Sequence, residues 1–175
     1  MLARGLKAFC GMDCLVAWCA SADARKLLAK AEAKTLREQA RAVRPLSWYK
    51  ARAQKAVNAW VVWRDRNKPC ISCLKPAFIE GEWHAGHFKT RGSGKGALDP
   101  KNINKQCAAC NNWKSGALEG YRKGILERFG PARLEYLETL RRDTTKRDSA
   151  YFERVAKVYR RRLKQAQTRA AEREA

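Results

Sequence analysis

Residues 70–114 read CISCLKPAFIEGEWHAGHFKTRGSGKGALDPKNINKQCAACNNWK. Two Cys-x-x-C pairs, Cys70/Cys73 and Cys107/Cys110, bracket the only two histidines of the chain, His84 and His87. Four thiolates in two chelating knuckles match the tetrahedral demand of a structural Zn²⁺. Such a shell leaves no position for water, so catalysis would need a different metal. The gap between the knuckles is long enough for a β-hairpin. Ile79 to Thr90 reads as its first strand, Gly92 to Gly96 as a turn, and Ile103 to Gln106 as the return. Asn111-Asn112-Trp113-Lys114 reads as the first turn of a helix that Gly116 stops. The expected module is a zinc-stapled hairpin and helix that aims a histidine and an amide at a second, catalytic metal. A competing reading puts His84 or His87 on the zinc in place of a cysteine, or leaves it as plain surface.

On the N-terminal side, Ser47 can cap a helix running to about Arg66. Trp48, Ala56, Ala59, Trp60 and Trp63 fall near one face, and period 3.6 is what burial demands. This face is expected to pack on the zinc module. Pro45 ends an earlier helix, Ala22 to Val43, rich in Ala, Lys, Arg and Glu. Its apolar stripe (Leu27, Leu28, Leu36, Val43) is thin, as in a solvated basic helix. Ahead of it Cys10, Cys14 and Cys19 form no closed ligand set and read as small thiols on a short apolar segment. On the C-terminal side, Tyr121–Arg128 and Ala132–Arg141 are amphipathic and split by Gly130-Pro131. Asp148 or Ser149 can cap a last helix that frays from about Gln167. The fold class expected is α+β, mostly helical, with segments 1–44, 45–130 and 131–175.

A formal charge of +21 with pI near 10.2 points to a polyanionic partner, most simply nucleic acid. No apolar run is long enough to span a bilayer, and no cleavable signal is evident. Metal binding is then the expected use of the cysteines, in a reducing cytoplasm. Lys89, Arg91, Lys95, Lys101, Lys105 and Lys114 lie on or beside the hairpin. Together they make a stripe suited to a phosphate backbone, reading shape and not sequence.

GHFKTR followed by DPKNINKQCAACNNWKSG resembles the zinc-containing HNH nucleases with the ββα-metal fold. The wider run from Ser47 to Gly130 resembles the NinG (Rap) recombination nucleases of lambdoid phages. The resemblance implies a Mg²⁺- or Mn²⁺-dependent endonuclease acting on branched recombination intermediates, D-loops and Holliday junctions, in a bacterial host. By the motif match His87 takes the general-base place, Asn111 a metal-ligand place, and Asn102 the middle asparagine that pins the hairpin loop. Cys70, Cys73, Cys107 and Cys110 take the zinc places. Those roles agree with the chemistry. An imidazole near neutrality can take a proton from water, and a hard cation on oxygen ligands neutralises the leaving oxygen. A helix N-terminus after Cys110 would add positive potential. Symmetric cutting needs two active sites, so a homodimer is the expected assembly.

One position departs from the pattern. Many of these nucleases carry an Asp before the base histidine, and here Gly86 stands there. The nearest substitute is His84. On a regular strand residues 84 and 87 face opposite ways, so joining them needs a bulge at Gly86; otherwise Glu82 or Asp99 must supply the charge. Imidazole suits Mn²⁺ better than Mg²⁺, so Mn²⁺ is expected to support at least as much cleavage. The other readings are a zinc-finger module that binds branched or double-stranded DNA without cutting it, and an assembly factor with basic helices.

Overall fold

A computed structural model describes residues 10–90, 95–141 and 145–174; the side chains of residues 41, 42, 95 and 174 are outside the description. The chain divides into two compact units at Pro45 and Leu46. The first contains helices α1 (Met12–Cys19) and α2 (Ala22–Ala42). Leu27, Leu28 and Leu36 are exposed on α2 and Ala24 is buried, as a thin stripe on a basic helix requires. Cys10, Cys14 and Cys19 are exposed, with the Sγ atoms of Cys10 and Cys14 2.6 Å apart.

The second unit is a mostly helical α+β structure around a two-stranded sheet. Helix α3 (Leu46–Arg64) follows Pro45 directly, where a proline's fixed φ favours a helix start. Its buried face is Tyr49, Ala53, Ala56, Val57 and Val61. That differs from the face expected, because Trp48, Trp60 and Trp63 are only half-buried and Ala59 is exposed. Small residues on the buried face let α6 (Ser149–Glu174) lie close, with Phe152 packed on Tyr49 and Ala53. The tryptophans flank this seam, Trp60 edge-on to Tyr159 at 5.4 Å.

Strands β1 (Trp83–His87) and β2 (Ile103–Cys107) pair antiparallel, Trp83 opposite Cys107 and His87 opposite Ile103. β1 is shorter than the 79–90 expected, because β2 must leave the ladder at Cys107 to form the second knuckle. Every residue of β1 has a partner, so no bulge interrupts Gly86. One face of the hairpin, carrying Ala85 and Ile103, packs on Val57 and Val61 of α3. The other meets α4 (Leu118–Phe129), whose buried Tyr121 donates to the Gly86 carbonyl at 2.8 Å. α4 and α5 (Pro131–Thr139) close a cluster of Ile71, Tyr121, Ile125, Leu134 and Leu137.

The helix breaks fall where backbone chemistry puts them. Gly130 ends α4 at φ 79° and Pro131 opens α5. Asp148 caps α6, its Oδ1 accepting from Tyr151 N at 2.8 Å. α6 then continues past Gln167 to Glu174 instead of fraying. Around Cys110 the chain makes a single five-residue π-helical turn, Ala109–Trp113, which begins two residues before the helix expected at Asn111 and ends before Lys114. Ser115 and Ala117 both have positive φ and end it, so no helix dipole faces the hairpin there. Among the described residues no helix is long and apolar enough to cross a membrane.

Candidate functional site

The two knuckles converge. The Sγ atoms of Cys70, Cys73, Cys107 and Cys110 all lie within 4.8 Å of one another, and those of Cys73 and Cys107 are 3.7 Å apart. A tetrahedral ZnS₄ centre with Zn–S near 2.3 Å has sulfur–sulfur edges of about 3.8 Å, so the donor set fits zinc. The first knuckle is closed by Leu74 N donating to Cys70 O (3.1 Å), with Leu74 at φ 58°. Burial pushes the Cys70 thiol up. Backbone N–H groups, led by that of Cys107 at 3.4 Å, outweigh this and hold it below its ordinary value, which favours the thiolate. Neither histidine belongs to this cluster.

The histidines sit on opposite faces of β1. His84 faces Asn111, with Nδ1 3.4 Å from the amide nitrogen, and its Nε2 is 3.5 Å from the Glu82 carboxylate. The bulge that would have joined the two histidines is absent. Gly86 is instead pressed against Gln106, and a Cβ there would run into the Gln106 amide. A side chain at this position would require the Gln106 side chain to move. Asp99 is engaged elsewhere, accepting from Tyr136 OH at 2.7 Å and from Lys101 N at 2.8 Å, so Glu82 is the carboxylate beside His84.

His87 points toward α3. Its Nε2 lies 3.1 Å from the Ala97 carbonyl and 3.3 Å from the Gln54 side-chain amide. The carbonyl accepts only and the Gln54 Nε2 donates only, so this ring nitrogen stands between an acceptor and a donor. The carbonyl is itself held in place. Asn102 is fully buried; its Nδ2 donates to Gly96 O (2.8 Å) and Lys89 O (2.9 Å), and its Oδ1 accepts from Lys89 N (2.8 Å). One amide thus ties the end of β1 to the short 3₁₀ turn Lys95–Leu98 that supplies Ala97.

The basic stripe is thinner than expected. Lys101 and Lys114 are exposed and Lys89 is half-buried. Lys105 is buried; its Nζ donates to Arg66 O at 2.8 Å and lies 4.1 Å above the Trp83 ring. Burial lowers its pKa, and the nearby Asp65 only partly restores it. It is therefore a structural cation and not a phosphate contact, because an odd position of β2 faces α3. Arg91 lies outside the described residues, as does the Lys95 side chain.

Two partners of the histidines carried no signal in the sequence. Gln54 is a polar residue in a helix full of them. Gln106 is the cross-strand partner of His84, and its Oε1 is buried without a hydrogen-bond partner. Strict alternation in β2 puts Gln106 beside His84 once the register is known; the register itself is not local information.

The family described as "Bacteriophage Lambda NinG protein" matches residues 9–170. The chain belongs to the NinG family. Relatives in it include Protein ninG of Salmonella phage P22, 41% identical over 99 residues, which is 56% of this chain and 48% of that one. Protein ninG of Escherichia phage 933W and that of Escherichia phage lambda are 39% and 38% identical over the same share of each chain. The chain spans about half the length of these NinG relatives. No solved structure matches it.

Proposed function

We propose that this chain is a divalent-metal-dependent endonuclease that cuts branched DNA, with the cysteine cluster as its structural zinc. The observation that carries the reading is the chain of contacts from Asn102 through the 96–97 carbonyls to His87 Nε2. It holds the imidazole in place at the end of β1, where it would take a proton from the water that attacks phosphorus. Asn111 Oδ1, His84 and Glu82 would hold the catalytic Mn²⁺ or Mg²⁺ with nitrogen and oxygen donors that suit such ions. This group lies on the face of β1 opposite His87, so the scissile phosphate would have to lie across the strand end at Gly86 and His87. When bound there, such an ion would supply positive charge to the leaving 3′ oxygen. Lys89, Lys101 and Lys114 hold the phosphate backbone, and a homodimer would bring the second site that a symmetric cut needs.

A second reading has its own observation. His87 and His84 lie on opposite faces of β1, as a zinc module that binds branched DNA without cutting it would allow. A synthetic four-way junction with Mn²⁺, Mg²⁺ or neither separates the two. Wild type should cleave, at least as fast in Mn²⁺ as in Mg²⁺. His87→Ala should lose about 100-fold in rate or more with DNA binding intact. His84→Ala and Asn111→Ala should raise the metal concentration needed. Binding by wild type without cleavage in either ion would select the module. Full activity in His87→Ala would remove this histidine as the base.

A further inference from the structure

Trp113 stands apart from the other tryptophans. Trp48 lies under Arg52, Trp60 against Tyr159, Trp63 under Arg66 and Trp83 under Lys105. Trp18 is half-buried in the first unit. Trp113 is 85% exposed and has no ring contact among the described residues. A single exposed aromatic is ordinary on a protein surface; Trp113 stands out for its place beside Asn111 and the cysteine cluster and for its basic, polar flanks. Trp113 ends the turn that begins at Ala109 and contains buried Cys110, and Lys114 N closes that turn on Ala109 O at 3.2 Å. Asn111, two residues earlier, touches His84. Phe78, 86% exposed, lies on the other loop leaving the cysteine cluster, between Cys73 and β1.

The surroundings select the partner. Trp113 is flanked by exposed Asn112 and Lys114, on a chain of net charge +21. An apolar protein surface gains nothing from that frame, and a polyanion does. A nucleobase offers a π face, but in an intact duplex both faces of each base are already stacked. Only at a branch or gap is a face available, and aromatic side chains bind such bases with little regard to sequence.

We propose that Trp113 is a stacking platform for an unpaired base at a DNA branch point. It would give the protein its preference for branched over continuous duplex, with Lys114 on the adjoining phosphate. The inference rests on the reading of the chain as a branched-DNA protein, and not on cleavage.

The test uses the full zinc-loaded chain without added Mn²⁺ or Mg²⁺. A four-way junction carries 2-aminopurine beside the crossover, and a continuous duplex carries it in the same sequence. Wild type should quench the junction probe on binding. Trp113→Ala should abolish the quenching and weaken junction binding about tenfold, leaving duplex binding within about twofold. Trp113→Phe should restore most of both signals. Unchanged zinc content and melting temperature would show the variants folded. Equal losses on junction and duplex, or no change on either, would overturn the proposal. Quenching without cleavage by wild type in Mn²⁺ would sink the nuclease reading and sustain this one.

Discussion

Two clasps hold strand β2, and they use different chemistry. At its C-terminal end Cys107 joins three other cysteines, and around them few large apolar side chains are buried. Leu74, Phe78 and Trp113 are exposed nearby in the chain. Along its α3 side the strand is bolted by ions and hydrogen bonds. Arg64 donates to Pro100 O and Ile103 O, both at 3.0 Å, and pairs with Asp65. Asp65 is fully buried, and its Oδ2 accepts from Lys105 N at 3.3 Å. Apolar packing of Val57, Val61 and Ile103 backs this second clasp. The sulfur clasp is a donor set that could close on a removable ion, whereas the other depends on a carboxylate that can be protonated.

The largest effect should come from breaking the sulfur clasp. Cys110→Ser removes one of the four sulfur donors of the cluster, all of which lie within 4.8 Å of one another. Structural zinc contributes on the order of 10 kcal/mol to the smallest zinc domains. Here part of the unit is packed independently, so a loss of about 5 kcal/mol or more is expected, a drop of about 15 °C in Tm. Metal analysis should show less than one zinc per chain. A chelator should reproduce the shift in wild type. A variant that melts within a few degrees of wild type would mean the clasp is not what holds β2.

Next in size is the ion clasp. Burial alone would raise the Asp65 pKa, but the hydrogen bond and charge of Arg64, with help from Lys68, hold it below the ordinary carboxylate value. A depressed carboxylate contributes stability that is present above its unfolded pKa and lost as pH falls through the folded one. Asp65 therefore stabilises the fold at neutral pH; its contribution begins to decline below about pH 4, the ordinary carboxylate value, and is lost only as pH falls through its lower folded value. Asp65→Asn should cost about 3 kcal/mol at pH 7, because it leaves Arg64 beside an uncharged buried group. It should also flatten the acid limb of stability against pH while zinc stays stoichiometric. Loss of zinc together with stability would show that the clasps act as one.

The comparison also explains what could be read from the chain and what could not. The cysteine cluster was legible because a Cys-x-x-C knuckle is local chemistry, complete within four residues. The breaks at Pro45, Gly130-Pro131 and Asp148 were legible for the same reason. The ion clasp was not, since nothing in Arg64-Asp65 says which strand they will reach. The buried face of α3 was misread because tryptophan looked like core. Close approach of α6 selected Tyr49, Ala53 and Val57 instead, with Trp60 at the rim. The sides taken by His84 and His87 depended on a bulge, which is a property of strand pairing. Their neighbours Gln54 and Gln106 depended on it too.

Lys105 gives the smallest and most discriminating effect. Read as sequence it belongs with Lys101 and Lys114 in a basic stripe, but it lies between the two clasps with its stem over Trp83. Its ammonium spends a desolvation cost on one hydrogen bond to Arg66 O and on the attraction of Asp65. Methionine keeps the apolar stem and removes both the cost and the gain. Lys105→Met should therefore change stability by about 1 kcal/mol or less, a shift of about 3 °C. It should leave junction affinity within about twofold and the dependence of binding on salt unaltered, since no phosphate contact and no counterion release is lost. Lys114→Met, on the exposed side, should weaken binding and reduce the salt slope by about one. Equal slopes in the two variants would place Lys105 on the DNA and break the assignment of this face to the interior.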